Sequence, residues 1–262
     1  MSTSELFERY QDSNPWGFGV TIDGFVFPKT IKSIAEIFEK GEQAQVPLLA
    51  GWNSAEIPGQ AMMNGKPLTE ENYVAQVKEL YPNDWQEVIK LYPSDQASLE
   101  WSTTDLASDR FISYSTWKWL NLQSNHSTKP VYRYLYSKLR PPMKDASLVP
   151  GLAGGVSRST GPKPPPAIGA PHACEIEYAM GNLHLSDVFA WTEDDYKVSN
   201  TMLNYFTNFV VSGNPNGKDL PNWPAMVPKD ANPDVMVIDV NSKAVKASKD
   251  VRYLFHEAQY KK

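Results

Sequence analysis

The segment VPLLAGWN, residues 46–53, constrains the fold more than any other stretch of the chain. It is a short apolar run bounded by Pro and Gly, without the alternation of a half-solvated strand. Such a run fits a strand buried on both faces, as in a parallel sheet. The preceding residues agree. GFGVTIDGFVFP (17–28) predicts short strand pieces around the turn dipeptide Asp23-Gly24, ended by Pro28. KTIKSIAEIFEKGEQ (29–43) sets Ile31, Ile34, Ile37 and Phe38 at helical spacing, with Gly41 as a C-terminal cap. Strand, helix and buried strand in that order predict an α/β core.

Residues 57–128 change character. LTEENYVAQVKELYP, DWQEVIKLYP and TTDLASDRFISYSTWKWLNLQSN read as helices closed by Pro or polar residues, the first capped at Thr69. This block predicts a helical insertion over the sheet. KPVYRYLYS (129–137) alternates Val131, Arg133 and Leu135 against Tyr132, Tyr134 and Tyr136, a strand pattern. The stretch 138–171 holds eight prolines and several glycines, which predicts a long loop without regular helix or sheet. GLAGGVSRSTG within it has the glycines of a phosphate cradle, but neither the leading strand nor the following Lys-Ser/Thr helix. It reads as a flexible surface loop. TEDDYKVSNTMLNYFTNFVVSG (192–213) carries the clearest helix signal. Thr192 can cap it, and Glu193, Asp194 and Asp195 complement the dipole. Met202, Tyr205, Phe206, Phe209 and Val210 form the predicted buried stripe, and Gly213 stops the helix. VMVIDV (235–240) reads as a strand near an edge.

With 262 residues, 41% of them hydrophobic and 21% charged, the chain can bury a sizeable core in one or two domains. A net charge of -5 without a basic stripe argues against a nucleic-acid partner. No apolar run reaches the roughly 18 residues of a membrane span, and MSTSELFERYQDSNPWGFGV lacks the pattern of a signal peptide. The single cysteine, Cys174, forms no intrachain disulfide. It lies two residues from His172, too near for the usual Cys-His nucleophile pair, which is assembled from distant segments. No metal or cofactor is expected.

In GAPHACEIEYAMGN (169–182), one of only four histidines sits on a Gly/Pro turn ahead of a segment with apolar periodicity. A histidine there is placed for proton transfer, although many loop histidines are only solvated. Two segments carry weight together. VPLLAGWNSAE (46–56) contains Gly-x-Asn-x-x-Glu, and GAPHACEIEY contains Gly-Ala-x-His-x-x-Glu-x-x-Tyr. In this order and separation they resemble the type B carboxylesterase and cholinesterase family of α/β-hydrolases, in particular its para-nitrobenzyl-esterase-like members. IDGFVFP (22–28), PVYRYLY (130–136), NYFTNFVVSGNPNG and WPAM (204–226) agree, so the resemblance covers nearly the whole chain.

The resemblance implies a role for each residue. Glu56 would be the acid of a Ser-Glu-His triad and His172 the base. Glu175 would be structural and Glu177 a surface residue. The family's nucleophile elbow, Gly-x-Ser-x-Gly, and its His-Gly-Gly oxyanion loop do not occur in these 262 residues. The expectation is therefore the C-terminal part of an α/β-hydrolase over 1–262, with the elbow half absent. Its partner would be the N-terminal half of the same fold, or a covering chain. The implied substrate is a small-molecule ester, uncharged or aromatic. Trp52, Tyr114 and Trp117 are candidate pocket residues, with Trp101 and Trp119 behind them, although any single aromatic is more often core. Ser54, Ser157 and Ser159 are the serines to test should the chain act alone. The competing function is a non-catalytic, esterase-like binding or adhesion module; the intact Glu56 and His172 argue against it. An accessory fragment is a third reading that nothing favours. The compartment is left open: a periplasmic or secreted parent fits, as does a cytoplasmic one.

Overall fold

The computed structural model describes residues 1–13, 20–27, 34–151, 155–158 and 165–261, and the chain divides into two units, 1–43 and 44–262. Gly17, Phe18, Pro28, Ile31 and Ser159, named above, lie outside the described residues. The first unit holds helix α1 (Thr3–Ser13), which the sequence reading passed over. Ser2 and Glu5 cap it reciprocally: the Glu5 N–H donates to Ser2 Oγ (3.2 Å) and the Ser2 nitrogen to Glu5 Oε2 (2.6 Å). The strand pieces expected around Asp23-Gly24 are replaced by a side-chain turn. Asp23 Oδ1 accepts the N–H groups of Phe25, Val26 and Phe27, so that the backbone curls instead of extending. Helix α2 (Ala35–Glu39) follows, and Gly41 just beyond it takes φ +71°.

The second unit opens with β1 (Leu48–Asn53). Helices α3 (Glu70–Leu80), α4 (Trp85–Leu91), α5 (Leu99–Ser108) and α6 (Tyr114–His126) come next, with a π-turn at Asp109–Ser113 between the last two. Then come β2 (Val131–Tyr136), β3 (Leu148–Pro150), β4 (Val156–Arg158), α7 (Ile176–Ala179) and α8 (Glu193–Ser212). The chain closes with β5 (Asp234–Ile238), β6 (Lys243–Lys246) and α9 (Asp250–Tyr260). The sheet runs β1-β2-β5-β6; β1, β2 and β5 are parallel and β6 pairs antiparallel. The strand read at 235–240 is therefore internal, and β6, with its short Lys-flanked sequence, is the edge beyond it. The long loop is not wholly irregular, since β3 and β4 form a small hairpin. Pro150, which has no N–H to give, ends its strand there.

Both faces of the sheet are covered, as the apolar run at β1 requires. Leu49, Tyr132, Tyr136, Met236 and Ile238 pack against Val198, Met202 and Tyr205 of α8. Leu48, Ala50, Trp52, Val131 and Leu135 pack against Tyr114, Trp117 and Leu120 of α6 and Tyr253 of α9. A separate core forms among α3, α4 and α5 around Tyr73, Val77, Val88, Tyr92 and Leu106. The cap of α3 is as read: Thr69 Oγ1 accepts the Asn72 N–H at 3.2 Å. Helix α8 carries a full capping box at Thr192 and Asp195 and ends at Gly213 in the left-handed region, φ +75°. Val210 leaves the expected stripe and is 83% exposed, whereas its neighbour Phe209 packs against Tyr132 of β2.

At Gly51, β1 leaves no room for a side chain beside its neighbour. A Cβ there would run into the Tyr134 carbonyl oxygen and ring on β2. The clash is with backbone and cannot be relieved by a rotamer change. Gly51→Ala is expected to lower the unfolding free energy by about 3 kcal/mol, the upper end of overpacking costs, read from the urea midpoint.

Candidate active site

The site is built at the carboxyl ends of β1 and β2, the usual place for sites in parallel sheets. Asn53, the last residue of β1, starts a tight turn that brings Glu56 back beneath it. The Asn53 N–H donates to Glu56 Oε1 at 2.6 Å, and Glu56 is only 4% exposed. The other carboxylate oxygen, Oε2, lies 2.6 Å from His172 Nδ1. His172 arrives from 116 residues further along the chain, on the loop that follows Gly169.

Backbone bonds hold that loop against the turn. The Ala55 N–H donates to the Ala170 carbonyl (2.9 Å) and the His172 N–H to the Glu56 carbonyl (3.2 Å). Ser54 Oγ accepts the Ala170 N–H at 3.0 Å, so this serine is occupied in tying the loops together. Asn53 Nδ2 reaches across to the Pro171 carbonyl (2.8 Å) and to Glu175 Oε2. Thus Asn53 holds Glu56 with its backbone and the His172 loop with its side chain. Its position in Gly-x-Asn-x-x-Glu was legible, but not this double role. Gly169 permits the close approach, since a Cβ there would sit 2.8 Å from Ser54 Oγ and 3.1 Å from the Trp101 ring.

Behind His172, α7 is tied to α8. The Tyr178 hydroxyl donates to Asp195 Oδ1 (2.7 Å), and Ser199 Oγ donates to the Tyr178 carbonyl (3.0 Å). Glu177 is not free on the surface: its Oε2 is 2.6 Å from the Arg140 guanidinium, whose side chain is mostly buried. Cys174 is a buried free thiol. Burial pushes its pKa well above the ordinary thiol range, so it is a core residue and not a nucleophile.

Ala173 has φ +61°, a left-handed conformation that costs a non-glycine residue free energy. The strain sits next to His172, and Ala173 is buried. Ala173→Gly is expected to change the unfolding free energy by less than about 1 kcal/mol, because relief of strain offsets the greater entropy of the unfolded chain. Ala173→Val should cost about 2 kcal/mol or more, because a β-branched residue tolerates this φ poorly and has no room. Denaturant titration of the two variants distinguishes them; equal costs would contradict the assignment of strain.

Electrostatics follow from the burial of Glu56. Loss of solvent raises its carboxyl above the ordinary carboxylate range; the Asn53 N–H and His172 pull it back down, and Glu175 adds a smaller upward push. A carboxylate at Nδ1 holds the imidazole with its proton on that nitrogen and leaves Nε2 as the available base. His172 keeps 28% of its side chain exposed.

Trp52, Tyr114 and Trp117 are all buried, in the core beneath the sheet. The Tyr114 hydroxyl donates to Glu257, and Trp117 Nε1 donates to Asp250 Oδ2 at 3.0 Å. Their polar atoms are thus engaged with α9. Trp52 also borders a cavity of about 210 Å³ with Trp101, Arg133, Lys249 and Arg252. The ring against His172 is Phe111 of the π-turn, with centroids 5.1 Å apart and planes at 88°. Sequence reading did not single it out. Trp101 and Trp119 are each 43% exposed. Among the described residues, no group of three His, Cys, Asp or Glu side chains could hold a metal, and no helix is long and apolar enough to cross a membrane.

The model of the Carboxylesterase family matches residues 2–255. The chain belongs to the carboxylesterase family. It is 26% identical over 250 residues to the acylcarnitine hydrolase of Mus musculus, covering 89% of this chain and 40% of that protein. Liver carboxylesterase 1 of Oryctolagus cuniculus is 28% identical over 255 residues, with the same coverages of 89% and 40%. Two solved PNB esterases share the fold, one of them thermophilic. Their TM-scores are 0.58 and 0.56 at 20% and 19% identity, over 97% and 84% of this chain and 49% and 40% of theirs. This carboxylesterase chain is a partial α/β-hydrolase: a mixed sheet with helices on both faces, spanning about 40% of the length of those two curated relatives.

Proposed function

We propose that this chain supplies the base and the acid of a serine carboxylesterase: His172 as base, Glu56 as acid, the nucleophilic serine coming from outside these 262 residues. The observation that carries the reading is the 2.6 Å contact of Glu56 Oε2 with His172 Nδ1. In the reaction, Nε2 takes the proton of the attacking serine as its oxygen bonds to the ester carbonyl carbon. The same nitrogen returns that proton to the departing alcohol as the C–O bond breaks. Water then repeats the cycle on the acyl-enzyme. Glu56 stays ionised, fixes the Nδ1–H tautomer and stabilises the imidazolium that forms at each proton transfer.

The partner in this reading is the N-terminal half of the same hydrolase fold, and the substrate is a small carboxylic ester. Two observations support the partner. The chain covers under half of the PNB esterases it resembles. Among the described residues, the apolar β1 forms one edge of the sheet, with strand-pairing groups on its outer side. The test is an assay of an activated aryl ester, first with residues 1–262 alone and then with the serine-bearing half added or fused. Turnover is expected only from the assembled form. Equal turnover by the chain alone would overturn the division of the triad.

A further inference from the structure

The geometry points to Phe111 as a positioning residue for His172: its ring, presented by the π-turn at Asp109–Ser113, holds the imidazole in the orientation that meets Glu56. This rests on the reading of His172 as the base, and it adds a residue that reading did not contain. Phe111 is 44% exposed, and the described contact of its ring is the perpendicular one with His172. His172 itself is only partly enclosed, so Glu56 at Nδ1 restrains the ring at one atom while leaving rotation about that contact open. An aromatic ring at right angles closes that freedom, since T-shaped pairs have a preferred geometry with quadrupole and edge in contact.

The turn that carries Phe111 is registered to both members of the pair. An α-helix running from α5 into α6 would face its side chains elsewhere; the π-turn inserts one extra residue and re-aims them, as such turns often do near functional sites. Ser108, at its start, accepts the N–H of Ile57, the residue after Glu56, at 3.2 Å. One residue on, buried Asp109 is fixed by the Tyr92 hydroxyl (2.7 Å) and by Arg252 Nε (3.0 Å). Ser113 Oγ closes the turn on the Ser108 carbonyl at 3.2 Å. The turn is thus anchored to the Glu56 loop at one end, to α9 through Asp109, and delivers Phe111 to His172 between them.

The test uses the chain of 262 residues and reads His172 directly. In ¹⁵N-labelled protein, the His172 Nδ1–H proton should resonate far downfield and exchange slowly with water, unlike that of solvent-exposed His184. Phe111→Ala should speed that exchange roughly tenfold and move the resonance upfield, at unchanged far-UV circular dichroism. Because the side chain is nearly half exposed, little buried area is lost and the fold should persist. Phe111→Tyr should preserve the wild-type signal, and Phe111→Leu, of similar bulk without a ring, should not. In the enzyme assembled with its serine, Phe111→Ala should lower kcat roughly three- to tenfold with KM unchanged, the scale of one aromatic pair. A His172 ring proton unaffected by Phe111→Ala would overturn the proposal, as would full rescue by leucine. Neither result touches the esterase reading. Conversely, an assembled enzyme without turnover sinks that reading and leaves the resonance test intact.

Discussion

In an esterase assembled from this chain and its serine-bearing half, His172→Ala should lower kcat for an activated aryl ester by about a million-fold, as loss of the base does in other triad hydrolases. Glu56→Gln should cost about 10⁴, because the glutamine keeps the geometry but favours the wrong tautomer. The gap between the two variants is informative. In the proposed mechanism His172 moves the proton, whereas Glu56 acts only through it. Its second oxygen is already held by the Asn53 N–H at 2.6 Å, so the glutamine has a place to sit and the loop should stay folded. The double variant should be no slower than His172→Ala alone, since triad members act as a unit. Steady-state kinetics on the four proteins check this. Additive losses would mean that Glu56 works on something other than His172.

A second large effect is expected in stability, at the ion-pair knot beneath the π-turn. Arg252 is 7% exposed; its Nε lies 3.0 Å from Asp109 Oδ2, and its NH1 pairs with Asp105. Lys249 also reaches Asp105 at 3.0 Å, whereas among the described residues the Asp109 carboxylate is bonded by the arginine and the Tyr92 hydroxyl, with Lys249 adding a weaker attraction. Arg252→Met therefore strands Asp109 and should cost about 3–5 kcal/mol, the penalty for breaking a buried pair from one side. Adding Asp109→Asn should recover part of that loss by removing the orphaned charge. The pH dependence has a definite sign. Burial pushes the Asp109 carboxyl up to about 6, against the pull of Arg252. Without the arginine it rises further above its unfolded value. A carboxyl raised on folding gives stability that is present at low pH and lost as pH rises through the folded pKa. The cost of Arg252→Met should thus be smaller at pH 5 than at pH 8. Urea titrations at both values measure it, and a pH-independent cost would contradict the assignment to Asp109.

The parts of this molecule that were legible in its sequence are those where local pattern and tertiary environment agree. β1 could be read because a strand covered on both faces needs an unbroken apolar run, and α8 because Thr192, Asp195 and Gly213 mark its ends. Glu56 and His172 could be read from two motifs 116 residues apart, though nothing in either motif shows that Asn53 joins them. The misses have physical causes. At α1 the Ser2–Glu5 box was present, but Pro and Gly further on outweighed it. Strand β6 is four residues with a lysine at each end, too short for alternation to stand out. The π-turn leaves the helical periodicity on either side intact, so no pattern betrays it, and with it Phe111 went unnoticed. For Trp52, Tyr114 and Trp117, residue type could not separate pocket from core. That depends on Asp250 and Glu257, the partners of Trp117 and Tyr114, 133 and 143 positions away.

The central claim, that His172 and Glu56 serve a serine lying outside residues 1–262, is tested most directly by covalent labelling with a fluorophosphonate, read by mass spectrometry. The expected result is no label on the chain alone, and in the assembled enzyme a single label on a serine of the added half, formed far more slowly when His172 is alanine. Labelling of Ser54 or Ser157 in the isolated chain together with ester turnover, or labelling of the assembled enzyme at the same rate without His172, would contradict it.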